Sequence, residues 1–94
     1  METNMYLEAL EKVMAKRYSA DMYNIGGYQE MAVCIQSGKN DWIVYTGERG
    51  NRYGEIHCAT VLEACLEFFR KMTHRIEDIS AMENDLLLTL TKAA

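Results

Sequence analysis

A chain of 94 residues supports a single domain, 1–94, and its 49% hydrophobic and 26% charged residues describe a globule rather than a disordered tail. Fourteen acidic against ten basic residues give a net charge of −4, without the clustered Lys and Arg by which nucleic-acid binders displace counterions. No apolar run approaches the ~20 residues of a membrane span, and no N-terminal stretch joins a basic start to an apolar run. The expectation is a cytoplasmic protein that contacts neither nucleic acid nor membrane.

The first helix is expected from about Asn4 to Arg17, because Tyr6, Leu10, Val13 and Met14 recur at helical spacing. Thr3 or Asn4 can cap its start, and Lys16 and Arg17 suit the negative end of its dipole. Tyr18 to Ile25 reads as a first strand, and Gly26-Gly27 as the turn into a second, Tyr28 to Gln36. That second strand would set Met31, Val33 and Ile35 on one face and Ala32, Cys34 and Gln36 on the other. The cluster Ser37-Gly38-Lys39-Asn40-Asp41 is a turn, and Trp42 to Thr46 a third strand. Three strands with short connections predict an antiparallel meander.

Gly47 to Gly54 reads as a long, charged, glycine-bounded loop, followed by a short fourth strand from Glu55 to Cys58. Thr60 and Glu63 then spell a capping box ahead of Leu62, Cys65, Leu66, Phe69 and Met72, which predicts a helix over 61–74. Ser80 and Glu83 repeat that spacing and predict a third helix over 81–92. Ile79, Met82, Leu86 and Leu90 would share one of its faces, with Leu87 and Leu88 partly outside it. A strand through Leu86–Leu90 is the competing assignment; the Asn and Asp ahead of the run favour the helix. The fold class is therefore α+β: an N-terminal helix, a three- to four-stranded antiparallel sheet, and two C-terminal helices packed on one face.

Signs of dedicated chemistry are sparse. Cys34, His57, Cys58 and His74 are the metal-capable nitrogen and sulfur groups, but no C-x₂₋₄-C or H-x₃₋₅-H pair fixes two ligands locally. Three cysteines, an odd number with Cys34 and Cys65 inside apolar runs, read as reduced and structural. The carboxylates at Glu77-Asp78 and at Glu83 and Asp85 sit near helix starts, where the dipole favours acids. Gly47, Gly50 and Gly54 lack the spacing of a dinucleotide or phosphate loop. No catalytic residue, metal or cofactor is assigned.

The aromatics offer more. Tyr18, Tyr23, Tyr28, Trp42, Tyr45 and Tyr53 lie on or beside the strands, where they pack across the sheet or face solvent. Trp42, Tyr45, Glu48, Arg49, Arg52 and Tyr53 together have the composition of an interface hot spot and form the candidate partner-binding set.

The run Gly27-Tyr28-Gln29-Glu30-Met31-Ala32-Val33-Cys34-Ile35, then Trp42-Ile43-Val44-Tyr45, Gly47-Glu48-Arg49-Gly50-Asn51 and Glu63-Ala64-Cys65, resembles a small immunity-protein family of bacterial polymorphic toxin systems. The resemblance spans about Tyr23 to Arg70 and rests on the order and spacing of these elements. It implies a non-enzymatic protein that neutralises a cognate toxin domain by stoichiometric occlusion. The alternatives are a cytoplasmic regulatory or structural homo-oligomer, joined through its C-terminal helices, and a small thiol-dependent or hydrolytic enzyme.

Overall fold

The computed structural model describes residues 3–93. Helix α1 (Thr3–Ala15) is followed by a single 3-10 turn (Ala20–Met22) and by strands β1 (Tyr23–Ile25), β2 (Ala32–Ser37), β3 (Trp42–Glu48) and β4 (Asn51–Cys58). Helices α2 (Val61–Met72) and α3 (Ile76–Ala93) complete the chain. The four strands form one sheet in the order β1-β2-β3-β4. This is the α+β architecture expected from the pattern of elements.

Helix α2 is the one laid against the sheet. Its buried residues, Val61, Ala64, Cys65, Phe68 and Phe69, fall at the i, i+3, i+4, i+7, i+8 positions of one helical face. They meet Tyr23, Ile35, Val44 and Cys58 of the sheet, and Tyr23 sets its ring edge-on to Phe68 at 6.4 Å. The capping box is present: Thr60 Oγ1 accepts the Glu63 amide at 3.1 Å, and the Glu63 carboxylate accepts the Thr60 amide at 3.3 Å. Helices α1 and α3 enter the same core through Leu10, Val13, Met14, Met82 and Leu86. Asp85 of α3 ties them together, accepting from Arg17 at 2.8 Å and Lys16 at 3.4 Å. Arg17 first, and then Lys16, holds the Asp85 carboxyl below the usual carboxylate range.

Several boundaries differ from the sequence expectation. Tyr18 to Met22 is not strand; the turn Ala20–Met22 takes that span and leaves β1 with three residues. Gly26-Gly27 is not a hairpin turn, because β1 runs parallel to β2 with Tyr23 opposite Val33 and Ile25 opposite Ile35. Residues 26–31 must therefore carry the chain back along the sheet, and Tyr28 to Met31 belong to that crossover and not to β2. The long loop over Gly47–Gly54 is also absent: β3 continues to Glu48, β4 starts at Asn51, and the turn between them is Arg49-Gly50. Gly54 at φ 63° sits in a bulge, where Gly54 and Glu55 together oppose Tyr45. Helix α3 begins at Ile76, so Ser80 lies within it and forms no cap. Its start follows the linker at Thr73, whose hydroxyl accepts the Arg75 amide at 3.2 Å. Capping of α1 by Thr3 or Asn4 falls on side chains outside the described residues.

The crossover gives the sheet a second, smaller core. Ala32, Cys34, Ile43 and Tyr45 are buried on the face away from the helices, with Tyr45 and Cys34 at 0% exposure. The Gln29 backbone sits over Cys34, its amide 3.3 Å from the sulfur, and the Tyr28 ring stacks on Tyr45 at 6.3 Å. Gly47 makes this approach possible. A Cβ there would lie 2.4 Å from the Gln29 carbonyl oxygen and 2.9 Å from the Tyr28 ring. Gly47→Ala should therefore destabilise the fold by about 1–3 kcal/mol through overpacking, measured by denaturant unfolding. Gly27→Ala, with open space around its site, is the comparison and should change stability far less.

Candidate partner-binding surface

The tip of the β3–β4 hairpin is set by two residues with positive φ, Arg49 at 54° and Gly50 at 78°. This is the primed geometry that matches the strand twist across a two-residue connection. Glycine adopts it freely, whereas arginine adopts it at a cost. The crossover supplies compensation. Glu30 Oε2 accepts the Arg49 amide at 2.6 Å, and the Tyr28 hydroxyl accepts the Gly50 amide at 2.7 Å while donating to Glu30 Oε1 at 2.6 Å. The Tyr28 hydroxyl first, then the Arg49 amide, holds the Glu30 carboxyl below its ordinary value; the same bond to Glu30 raises Tyr28. The turn is thus clamped from outside by residues roughly twenty positions earlier in the chain.

The six candidate residues do not form one face. Tyr45 is fully buried beneath the crossover, with the Arg52 guanidinium 5.1 Å from its ring centroid and its hydroxyl bonded to Gln36, and so offers no surface to a partner. Trp42 pairs with Cys58 at the far end of the hairpin and packs half-buried against the helical core. It stands about 20 Å along the strand from the turn. Glu48, Arg49, Arg52 and Tyr53 are exposed, at the tip and on the first residues of β4. Arg52 lies opposite Gly47 and Tyr53 opposite Thr46, so these two point to opposite faces of the sheet.

Sequence reasoning missed the roles of Tyr28 and Glu30, which were assigned to a strand. His57, which the sequence marks only as a metal-capable nitrogen, has a different place. The His57 ring lies between two carboxylates, Nδ1 at 2.6 Å from Asp41 and Nε2 at 3.0 Å from Glu55. Serving both carboxylates needs a proton on each nitrogen, which is the imidazolium form. Asp41 first, with Glu55 adding to it, raises the His57 pKa. Glu55 also stands 4.0 Å from Arg52, so an alternating row of charge, Asp41–His57–Glu55–Arg52, runs along the second face of β4. The period-2 spacing of His57 and Glu55 was visible in the sequence; the arrival of Asp41 from the preceding turn was not.

The three cysteines are buried and free. Burial pushes each thiol up, Cys65 to about 12, which disfavours the thiolate a nucleophile needs. Cys34 lies under the crossover and Cys58 in the helical core, so the sheet separates them. Among the described residues no group of three or more His, Cys, Asp and Glu side chains is placed to hold a metal ion, and no helix is long and apolar enough to cross a membrane. No protein-family model, curated protein or solved structure matches the chain.

His57 carries a pH dependence of known sign. Its folded pKa lies above the ordinary value of 6.5. The stabilisation is therefore complete below that value and is lost as pH rises through the folded pKa. Subtracting the thermal midpoint of His57→Gln from that of the unaltered protein should leave a difference that shrinks steadily as pH is raised from 6 to 9. A difference that grows with pH would reverse the assignment.

Proposed function

We propose that the chain is a protein-binding module that neutralises a cognate bacterial toxin domain by stoichiometric occlusion, with the β3–β4 hairpin as its contact element. The observation that carries this is the clamped turn: Tyr28 and Glu30 hold Arg49-Gly50 in place while Glu48, Arg49, Arg52 and Tyr53 stay exposed around it. A rigid element loses little conformational entropy on binding, so more of the contact energy appears as affinity. Arg presents a planar fork of donors suited to carboxylates, and Tyr adds amphipathic area, which together are hot-spot chemistry. The order of segments from Gly27 to Cys65 that resembles the immunity-protein family supports the toxin as partner.

A second reading has its own observation. Leu87 and Leu88 of α3 are 44% and 55% exposed, as expected for residues outside its buried stripe, and would suit a homodimer joined through the C-terminal helices. Ser80, Asn84 and Thr91 lie on the same exposed side and break that surface up, which favours the hairpin as the main contact.

The test is co-expression with the C-terminal domain encoded by the gene adjacent to this one. The chain should relieve growth arrest by that domain and co-elute with it at one to one. A domain that arrests growth equally with and without the chain overturns the proposal. Within the complex, Arg49→Gly keeps the turn geometry and removes the side chain. It should weaken binding by about 1–3 kcal/mol, the range of an Arg hot spot, by calorimetry, with no loss of thermal stability. Unchanged affinity would make Arg49 a scaffold residue.

A further inference from the structure

We infer that the edge of β4 from Ile56 to Cys58, with the groove between it and α2, takes up an extended Lys- or Arg-bearing segment of a partner polypeptide as an added strand. The inference rests on the reading of the chain as a protein-binding module, and it concerns a surface apart from the hairpin tip.

Strand β4 ends the sheet, and its only strand partner among the described residues is β3. One row of its backbone N–H and C=O groups therefore faces outward, which is the template for strand addition. Natural edges are often blocked by proline, but the chain contains none. The bulge at Gly54 and Glu55 divides β4, so the regular stretch beside α2 is the one from Ile56 onward. Beside it lies a groove of about 570 Å³, with Ile56 to Ala59 on one wall and Glu63, Leu66, Glu67 and Arg70 on the other. Ile56 and Leu66 are half-buried and give the groove apolar contact area.

Charge decides the kind of segment. Glu63 and Glu67 stand on the helical wall at i,i+4, on one side of α2. Arg70, the cation of the helical wall, is tied to Glu67 at 2.7 Å. Burial first, then the charges of Glu67, Glu63 and Asp41, push the Cys58 thiol up, which is the mark of an anionic field over the groove floor. On the other face of the edge stand Asp41 and Glu55, bridged by His57. Side chains of an added strand alternate between these two sides. The carboxylates of that second face are matched by His57 and Arg52, so the excess negative charge lies on the groove side, where Glu63 and Glu67 outnumber Arg70 and meet the basic side chains turned inward.

The probe is a seven-residue peptide of alternating Lys and Val, titrated into the ¹⁵N-labelled full chain at low salt. Shifts should concentrate at the amides of Ile56 to Ala59 and at Glu63 to Glu67. The Glu63→Gln, Glu67→Gln double variant keeps a capping side chain at position 63. It should bind roughly fivefold more weakly, the scale of two exposed ion pairs, with an unchanged melting curve. Methylating alternate backbone nitrogens of the peptide should weaken binding about tenfold by removing main-chain bonds. Arg49→Gly should leave the shifts unaltered. Equal binding of a Glu–Val peptide, indifference to methylation, or shifts centred elsewhere would overturn the inference. So would concentration-dependent shifts of the same amides without peptide, which would give the edge to a second copy of the chain. Rescue in the co-expression test without these shifts would sink the groove alone; the shifts without rescue would sink the toxin assignment alone.

Discussion

The contact on which the surface of this protein depends is the seat of the crossover on the second face of the sheet. Parallel strands are ordinarily joined by a dozen residues or more, commonly through a helix. Here residues 26–31 make the return between β1 and β2, and they do so by lying directly on β2 and β3. The route works because Gly47 presents no side chain beneath Gln29 and Tyr28. It works also because Met31, at φ 60°, accepts a left-handed backbone while its amide bonds the Gly47 carbonyl at 2.8 Å. Tyr45 is buried as a consequence, and burial of a ring that size with its hydroxyl satisfied is a large stabilising term. The second core and the clamped hairpin are therefore one arrangement: the loop that covers Tyr45 also delivers Tyr28 and Glu30 to the turn.

That coupling explains which parts of the sequence were readable. The helices declare themselves through local signals. Thr60 and Glu63 are three residues apart and cap α2 as their spacing requires. Met82 and Leu86 are buried on α3 as their periodicity requires. The overall α+β order follows from the same local patterns. The crossover has no such signal, since its meaning lies in contacts from Tyr28 to Gly50 and from Glu30 to Arg49, about twenty residues away. Gly26-Gly27 is a plausible hairpin turn on composition alone, and only the parallel register of β1 against β2 excludes it.

The candidate site divides along the same line. Glu48, Arg49, Arg52 and Tyr53 are exposed, as charged and polar groups on a hairpin tip should be. Tyr45 and Trp42 were grouped with them by chain proximity, yet strand alternation sends Tyr45 to the second core and Trp42 toward the helices. A strand residue's neighbours in sequence are seldom its neighbours on a face, so a cluster read from consecutive strand positions mixes two surfaces. Had the glycines at 47, 50 and 54 been read as close approach, turn and bulge within a longer hairpin, the same residues would have sorted correctly. Each glycine is used for a different physical reason, and composition alone does not tell the three apart.

The hairpin also bears on why a domain this small carries so much charge on one strand. Six of the eight residues of β4 are exposed, Ile56 is half-buried and Cys58 alone is buried, so the strand contributes little to the core and is polar without penalty. Polar need not have meant ordered, but the row Asp41–His57–Glu55–Arg52 is a set of alternating charges at contact distance. Exposed pairs of this kind add little stability. Their effect is on position: each side chain has a partner that limits its rotamers. A strand that is poorly buried and open along one edge differs in both respects from the core strands β2 and β3. The sheet's other edge, β1, has three residues, of which Tyr23 is buried and bonded to Glu11 of α1 at 2.9 Å. The two edges of the sheet thus differ: β1 and β2 are committed to the helices and the crossover, and β4 has no strand partner on its outer side among the described residues.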